Sequence, residues 1–580
     1  MLEAINFINP KVILMKSFKT TFKFIYLILL VAIIGCEKSA PKPNPALASI
    51  DLLRGDILLC GNPEFGNVSF ALDCKYDIRE TFDLAISLLH SFEYAEAEKA
   101  FVNVIDADPE CAMAYWGVAM SIYHELWAPP GPKELKKGLV LLEIAESLQK
   151  SERAELYLDA IKIFYDDWNT KDHNTRELLY EKKMEQIYRS QKEDTEAAIF
   201  YALAITSAAD PNDKTYSNQK KAGAILQKLF KEQPNHPGIA HYVIHTYDYP
   251  EIAETALSTA RRYAEIAPAS AHAQHMPSHI FTRLGLWQES IDTNINSASS
   301  AVCYAESAYP GTNWAQEIHA MDYLVYAYLQ QGNSNEVDAQ NAYLKSMKKI
   351  SPSNHFAVAY TANAIPARIA LENRQWEKAA KLESPTIELN WDKFPWEKSI
   401  LHFARALGSA RSGDIISAEN ELKIIQAFHE ELLKLNSAEA TYKAGQVQIE
   451  IKTTDAWINL AKGNNDKAVE LMKLAAKLES ETSKHPVTPG EVLPADELLG
   501  DMLFALDKPK EALEAYEINL KGHPNRFNGI YGAAIAAKQT GDNQKATGYF
   551  NQLIELTKNS NSNRLELVEA KAFVTEQQSL

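Results

Sequence analysis

Residues 493–550 read LPADELLGDMLFALDKPKEALEAYEINLKGHPNRFNGIYGAAIAAKQTGDNQKATGYF. Counted from Leu493, residues Gly500, Ala512, Tyr516 and Pro524 fall at positions 8, 20, 24 and 32 of a 34-residue unit. A second unit follows without a gap, with Ala534, Ala546 and Phe550 at positions 8, 20 and 24. The spacing has a packing reason. Two antiparallel helices approach closely only where both carry a small side chain, and a large apolar residue at position 24 fills the space to the next pair.

The same pattern runs outward from this stretch. Counted from Ile78, residues Ala85, Ala97, Phe101 and Pro109 take the same four positions. Ala367 with Ala379, Ala406 with Ala418, and Ala456 with Ala468 repeat the 12-residue interval between the small positions. Gly413 and Gly541 precede the second small residue by five, where the turn between helices belongs. This is the tetratricopeptide (TPR) pattern. It predicts an all-α, TPR-like superhelix of helical hairpins, an α-solenoid with irregular insertions. The length of 580 residues exceeds one compact core and suits a repeat array.

The array is irregular in places. Residues 125–235 carry non-consensus spacings, and the run from Trp127 to Pro132 breaks the pattern. Residues 305–316 read as an insertion, and Pro486, Pro489 and Pro494 mark a loop. The expected organisation is a signal peptide over 1–35 (natural start at Met15), a lipidated Cys and tether over 36–50, and a cap segment over 51–77. A divergent, His-rich helical region over 78–340 follows, then C-terminal repeats over 341–560 and a tail over 561–580.

The N-terminus reads as an address. Lys16, Lys19 and Lys23 precede an apolar run from Phe24 to Ile34, which ends in Gly35-Cys36. The run is short for a membrane span. Cys36 after a small residue resembles a bacterial lipobox, which implies acylation of Cys36 and a bacterial outer-membrane protein, lipid-anchored and facing the periplasm. Pro41, Pro43 and Pro45 read as an extended tether. Cys60 and Cys74 stand close enough in sequence for a disulfide in an oxidising compartment, while Cys111 and Cys303 read as buried thiols.

The histidines are not scattered. His241, His245, His272, His275, His279 and His319 fall within 79 residues. In units starting at Pro237, Ala271 and Ile318, they take positions 2, 5 and 9, with Asp322 at position 5 of the third. Those positions share one face of a first helix, so the side chains converge from neighbouring helices. Histidines four apart on a helix are a metal-ligand spacing. His241, His245, His275, His279, His319 and Asp322 are the candidate ligands, with zinc or copper as the ion. His272 and Glu317 are candidate groove residues, and Glu317 or Asp322 a candidate base. A metal-free polar groove and purely structural histidines explain the same pattern. Pro277 weakens the register, because it can start a helix after His275.

The stretches from Cys111 to Met120 and from His275 to Gly285, with the segment His241–His245, resemble a family of bacterial TPR-containing proteins with paired histidine motifs. The resemblance covers roughly residues 80–340. It implies a superhelical repeat fold and brings no reaction and no catalytic residue with it.

Other chemistry is absent. There is no phosphate-binding loop, no dinucleotide glycine pattern and no nucleophile elbow. The Glu that follows the first His in zinc proteases is missing after His241. With 59 Lys+Arg against 76 Asp+Glu and no basic run, nucleic acid is not expected as a partner. Trp116, Trp127, Trp314 and Trp376 read as core, so a glycan-stacking platform is not expected. The leading expectation is a membrane-anchored, periplasm-facing scaffold that binds a peptide, protein or small ligand in its concave groove. The alternative is a metal-dependent hydrolase or oxidase built on His241, His245, His275 and His279. Whether the chain is an enzyme stays open at this level.

Overall fold

The computed structural model describes residues 43–61, 63–74, 78–126, 129–482 and 485–579. From Arg79 onward the chain is a succession of antiparallel helical hairpins, the expected TPR-like superhelix. The only strands among the described residues are Asn313–Trp314 and Ile350–Ser351, which pair in parallel. Helix starts follow local chemistry. Ser151, Asp172, Asp194, Ser270 and Ser437 each accept a backbone N–H as N-caps. Pro132, Pro237, Pro277, Pro395 and Pro509 open helices where a missing N–H costs nothing.

The repeat positions pack as their spacing requires. Tyr516 lies between Gly500 and Gly532; a Cβ on Gly500 would stand 2.7 Å from its ring. Phe101 packs in the same way against Gly117 and edge-on to Phe82 at 5.3 Å. Apolar cores follow one another along the chain, from Leu47–Phe281 through Trp287–Ile387 and Tyr360–Ala536 to Phe527–Val574.

The superhelix also closes on itself. Trp287 Nε1 donates to the Asn525 carbonyl at 2.7 Å, and Asn525 Nδ2 donates to the Gly285 carbonyl at 3.2 Å. Gly285 has φ +66°, and a Cβ there would strike the Pro524 backbone. Next to this contact, the buried Arg526 binds Glu372 at 2.7 Å and Glu497 at 2.8 Å, and donates to Tyr326 OH at 2.9 Å.

Residues 50–61 and 63–74 form an extended strap across the first hairpins. Leu53 N and Leu58 N donate to Glu98 and Glu96 carboxylates, each at 2.8 Å. Phe70 is fully buried beside Phe82, Trp116 and Tyr157; burying such a side chain contributes about 1.5–3 kcal/mol. The strap corrects the cysteine expectation. Cys60 bonds Cys303 and Cys74 bonds Cys111, with Cα–Cα distances of 6.0 and 5.0 Å. An extended segment carries Cys60 and Cys74 apart and presents each to a different helix. Cys111 and Cys303 are therefore not thiols.

Among the described residues no helix is long and apolar enough to cross a membrane. The signal segment, Cys36 and the tether up to residue 42 lie outside the described residues, as does Trp127.

Candidate metal centre

Four helices carry the clustered histidines. Pro237–Tyr247 presents His241 and His245, and Ala315–Gln331 presents His319. Between them, Ala271–His275 ends and Pro277–Arg283 begins at Pro277. Met276 keeps helical angles, φ −53° and ψ −38°. The hydrogen-bond ladder is interrupted, but the path of the chain is not. His275 and His279 therefore keep the face they would share in one helix.

The side chains gather into two triads, His241–His245–His272 and His275–His279–His319. Within each, one ligand atom per residue lies within 4.8 Å of the others. In the first, His241 Nε2 is 3.0 Å from His245 Nε2 and 3.1 Å from His272 Nε2. In the second, His275 Nε2 is 3.0 Å from His279 Nε2, and the His275 and His319 ring centroids are 4.2 Å apart. The triads adjoin, with the His245 and His279 centroids 6.3 Å apart. All six rings but that of His245 are buried.

The outer nitrogens fix the tautomers. His241 Nδ1 is 2.6 Å from the His90 carbonyl, which can only accept. His279 Nδ1 is 2.9 Å from Asp248 Oδ2, whose other oxygen takes Arg283 Nε at 3.0 Å. His275 Nδ1 is 2.6 Å from Asn294 Oδ1; that amide orientation is set by Asn294 Nδ2, which donates to the Ser290 carbonyl at 2.7 Å. Each of these three rings thus carries its proton on Nδ1 and turns the Nε2 lone pair inward. Such outer-layer oxygens accompany metal-bound imidazoles. Burial, reinforced by neighbouring imidazoles, holds His241, His272 and His319 well below the ordinary histidine pKa. Protons are disfavoured where the lone pairs meet.

A third cluster had no signal in the sequence. Glu196 sits between His90 Nε2 and His236 Nε2, each at 2.9 Å. Burial opposes its charge, but the two imidazoles hold its carboxyl below the usual range. His90 Nδ1 meets Tyr242 OH at 2.9 Å, and His236 Nδ1 accepts Ile239 N at 3.4 Å. Each ring nitrogen already has a protein partner, so this cluster ties helices together rather than presenting open ligands. Its members stand 106 and 40 residues apart in sequence, beyond any helical period.

Two expected residues lie elsewhere. Asp322 is buried in an ion pair with Arg368, which also donates to the Gly490 carbonyl at 2.8 Å. Three residues beyond His319, its side chain is directed to the helix Phe356–Glu372 instead of the triad. Glu317 accepts from Asn313 at 2.9 Å and Tyr343 at 2.6 Å and lines a separate cavity with Met321 and Gln340. Neither is placed to act as a base at the triads. His272, expected in the groove, belongs to the first triad.

The leading functional expectation is thereby corrected. The histidine face does not line an open groove of a membrane-anchored, periplasm-facing scaffold. It closes inside the protein as clusters with metal-ligand spacing, and no helix of the described residues can cross a membrane. For the attributes tied to that expectation (membrane, palmitate, periplasm, outer membrane), no helix of the described residues supplies a membrane-spanning segment, and Cys36 lies outside those residues. The metal-dependent alternative is the better supported one.

No family model and no curated protein matches the sequence. Among solved structures, yeast Tom70 aligns with 13% identity over 86% of this chain and 96% of its own, at a TM-score of 0.31. The Cut9-Hcn1 hetero-tetramer of APC/C gives 12% identity over 86% and 90%, at 0.31. The human IFIT1 dimer with m7Gppp-AAAA gives 12% identity over 84% and 96%, at 0.34. Likenesses this distant assign no ligand and no partner to this chain.

Proposed function

We propose that the chain is a metal-dependent protein with two three-histidine centres, His241–His245–His272 and His275–His279–His319. The observation that carries this reading is the convergence of Nε2 atoms at 3.0–3.1 Å while Nδ1 atoms face oxygen acceptors. His275 and His279 both carry their protons on Nδ1, so two Nε2 lone pairs face each other at 3.0 Å and repel, and a shared cation removes the repulsion. An all-imidazole donor set suits zinc or copper. Three protein ligands leave a coordination position for water or substrate, the arrangement of catalytic rather than structural zinc. The metal, when bound, would supply a Lewis acid if zinc, for a hydrolase, or a redox centre if copper, for an oxidase. The chain's part is to orient the imidazoles through His90, Asp248 and Asn294 and to exclude bulk water. The resemblance to bacterial TPR-containing proteins with paired histidines fits, since those pairs are what the triads are built from. The surrounding superhelix offers an extended surface for a peptide, protein or small ligand.

Elemental analysis tests this on the chain purified without a histidine tag or added chelator. One to two zinc or copper ions per chain are expected, lost in the His245→Ala, His279→Ala double variant. No retained metal, with no micromolar uptake on titration of zinc or copper, would overturn the proposal.

A further inference from the structure

A cavity of 450 Å³ reaches the second triad at His319 and is bounded by Phe92 on the side of the first, a volume within the range of small-molecule sites. Phe92 covers the first triad, its ring 4.4 Å from His241 and 5.4 Å from His245 by centroid. Two aromatic pairs line the cavity. Phe92 and Tyr94 stack at 5.1 Å, and Tyr304 and Trp314 lie 4.4 Å apart.

Its charges are unbalanced. Asp51, Glu93, Glu96, Glu98 and Glu134 line it against Lys133 and Lys137 alone. Both lysines are engaged: Lys133 with Asp51 at 2.9 Å, and Lys137 with Glu98. Glu96 is held by Lys99 at 2.8 Å. Glu93 is different. It accepts from Ser270 Oγ at 2.6 Å, and among the described residues no lysine or arginine forms an ion pair with it. A carboxyl group in aromatic surroundings without a cationic partner, here pushed up to about 7 by burial, is complementary to an organic ammonium group, whose charge favours the ionised form and is also attracted by ring faces. Anions are disfavoured by the same charge balance.

We infer that this cavity binds a small arylalkylamine, with its ring among Phe92, Tyr94, Tyr304 and Trp314 and its ammonium toward Glu93, in the cavity that His319 also lines. The inference deepens the metal-centre reading and rests on it only for what happens to the bound amine.

Calorimetric titration of the full chain with phenethylamine, 2-phenylethanol and phenylacetate tests it. Phenethylamine should bind at least tenfold more tightly than either isostere. Glu93→Gln, which keeps the shape and the Ser270 hydrogen bond, should abolish the preference for amine over alcohol. Trp314→Ala should weaken both by about tenfold, with helical circular dichroism unchanged in each variant. Equal or tighter phenylacetate binding, an amine preference that survives Glu93→Gln, or no binding to the folded chain would overturn the inference. The two readings fail separately. Amine binding by a chain that takes up no metal sinks the metal reading alone, and metal uptake without amine binding sinks the cavity assignment alone.

Discussion

The Nε2 atoms of His275 and His279 lie 3.0 Å apart, although Pro277 ends one helix and starts another between them. Proline removes a hydrogen bond without turning the chain, because Met276 stays helical. The i,i+4 relationship on which the second triad depends survives the break.

The outer oxygens should tune affinity. Asn294→Ala removes the acceptor of His275 Nδ1 and frees that ring to rotate or change tautomer. Metal affinity should fall by about 10- to 100-fold, read by competition with a chromogenic chelator. Unchanged affinity would show that Asn294 does not orient a ligand.

Glu450 gives a pH dependence of opposite sign to ordinary carboxylates. Burial pushes its carboxyl up to about 8, against the hydrogen bond from Ser399. With the folded value above the unfolded value of 4.5, the folded state holds a proton that the unfolded state releases. Its contribution is complete below about pH 4.5 and is lost as pH rises toward 8. Glu450→Gln should therefore stabilise the chain at pH 8 by about 1–3 kcal/mol and have little effect at pH 4.5, measured by urea denaturation. A gain of the same size at both pH values would refute the assignment.

The disulfide pairing is checked by mass spectrometry of non-reduced peptides, with cross-links 60–303 and 74–111 expected and 60–74 absent. The first joins residues 243 apart and the second residues 37 apart. Reduction should lower stability by about 2–5 kcal/mol, seen as a fall in the denaturation midpoint.

Arg526→Met should be costly although methionine fits a core. It leaves Glu372 and Glu497 buried without the cation that compensates them, a loss of about 3–5 kcal/mol. A change under about 1 kcal/mol in thermal or chemical unfolding would argue against the buried pairing of Arg526 with Glu372 and Glu497.

Much of the fold could be read directly along the chain. Gly500, Ala512 and Tyr516 announce a helical hairpin because close approach demands small residues at fixed intervals. His241 with His245 and His275 with His279 announce shared faces because 3.6 residues make a turn. Trp314 and Trp116 both read as core from the sequence, but Trp314 lines the cavity with Tyr304, while Trp116 is core. Both occur close to alanine, and local context does not distinguish them.

The remainder depends on how distant helices meet. Asp322 and His319 share a helix, yet one faces Arg368 and the other the triad. Cys60 stands nearer Cys74 in sequence but pairs with Cys303 across the strap. Glu196 finds His90 and His236 through packing alone. Helical periodicity is set by backbone geometry within a few residues and is written in local spacing. The rotation of one hairpin against the next is set by summed side-chain contacts over the whole array, and that rotation determines which faces converge.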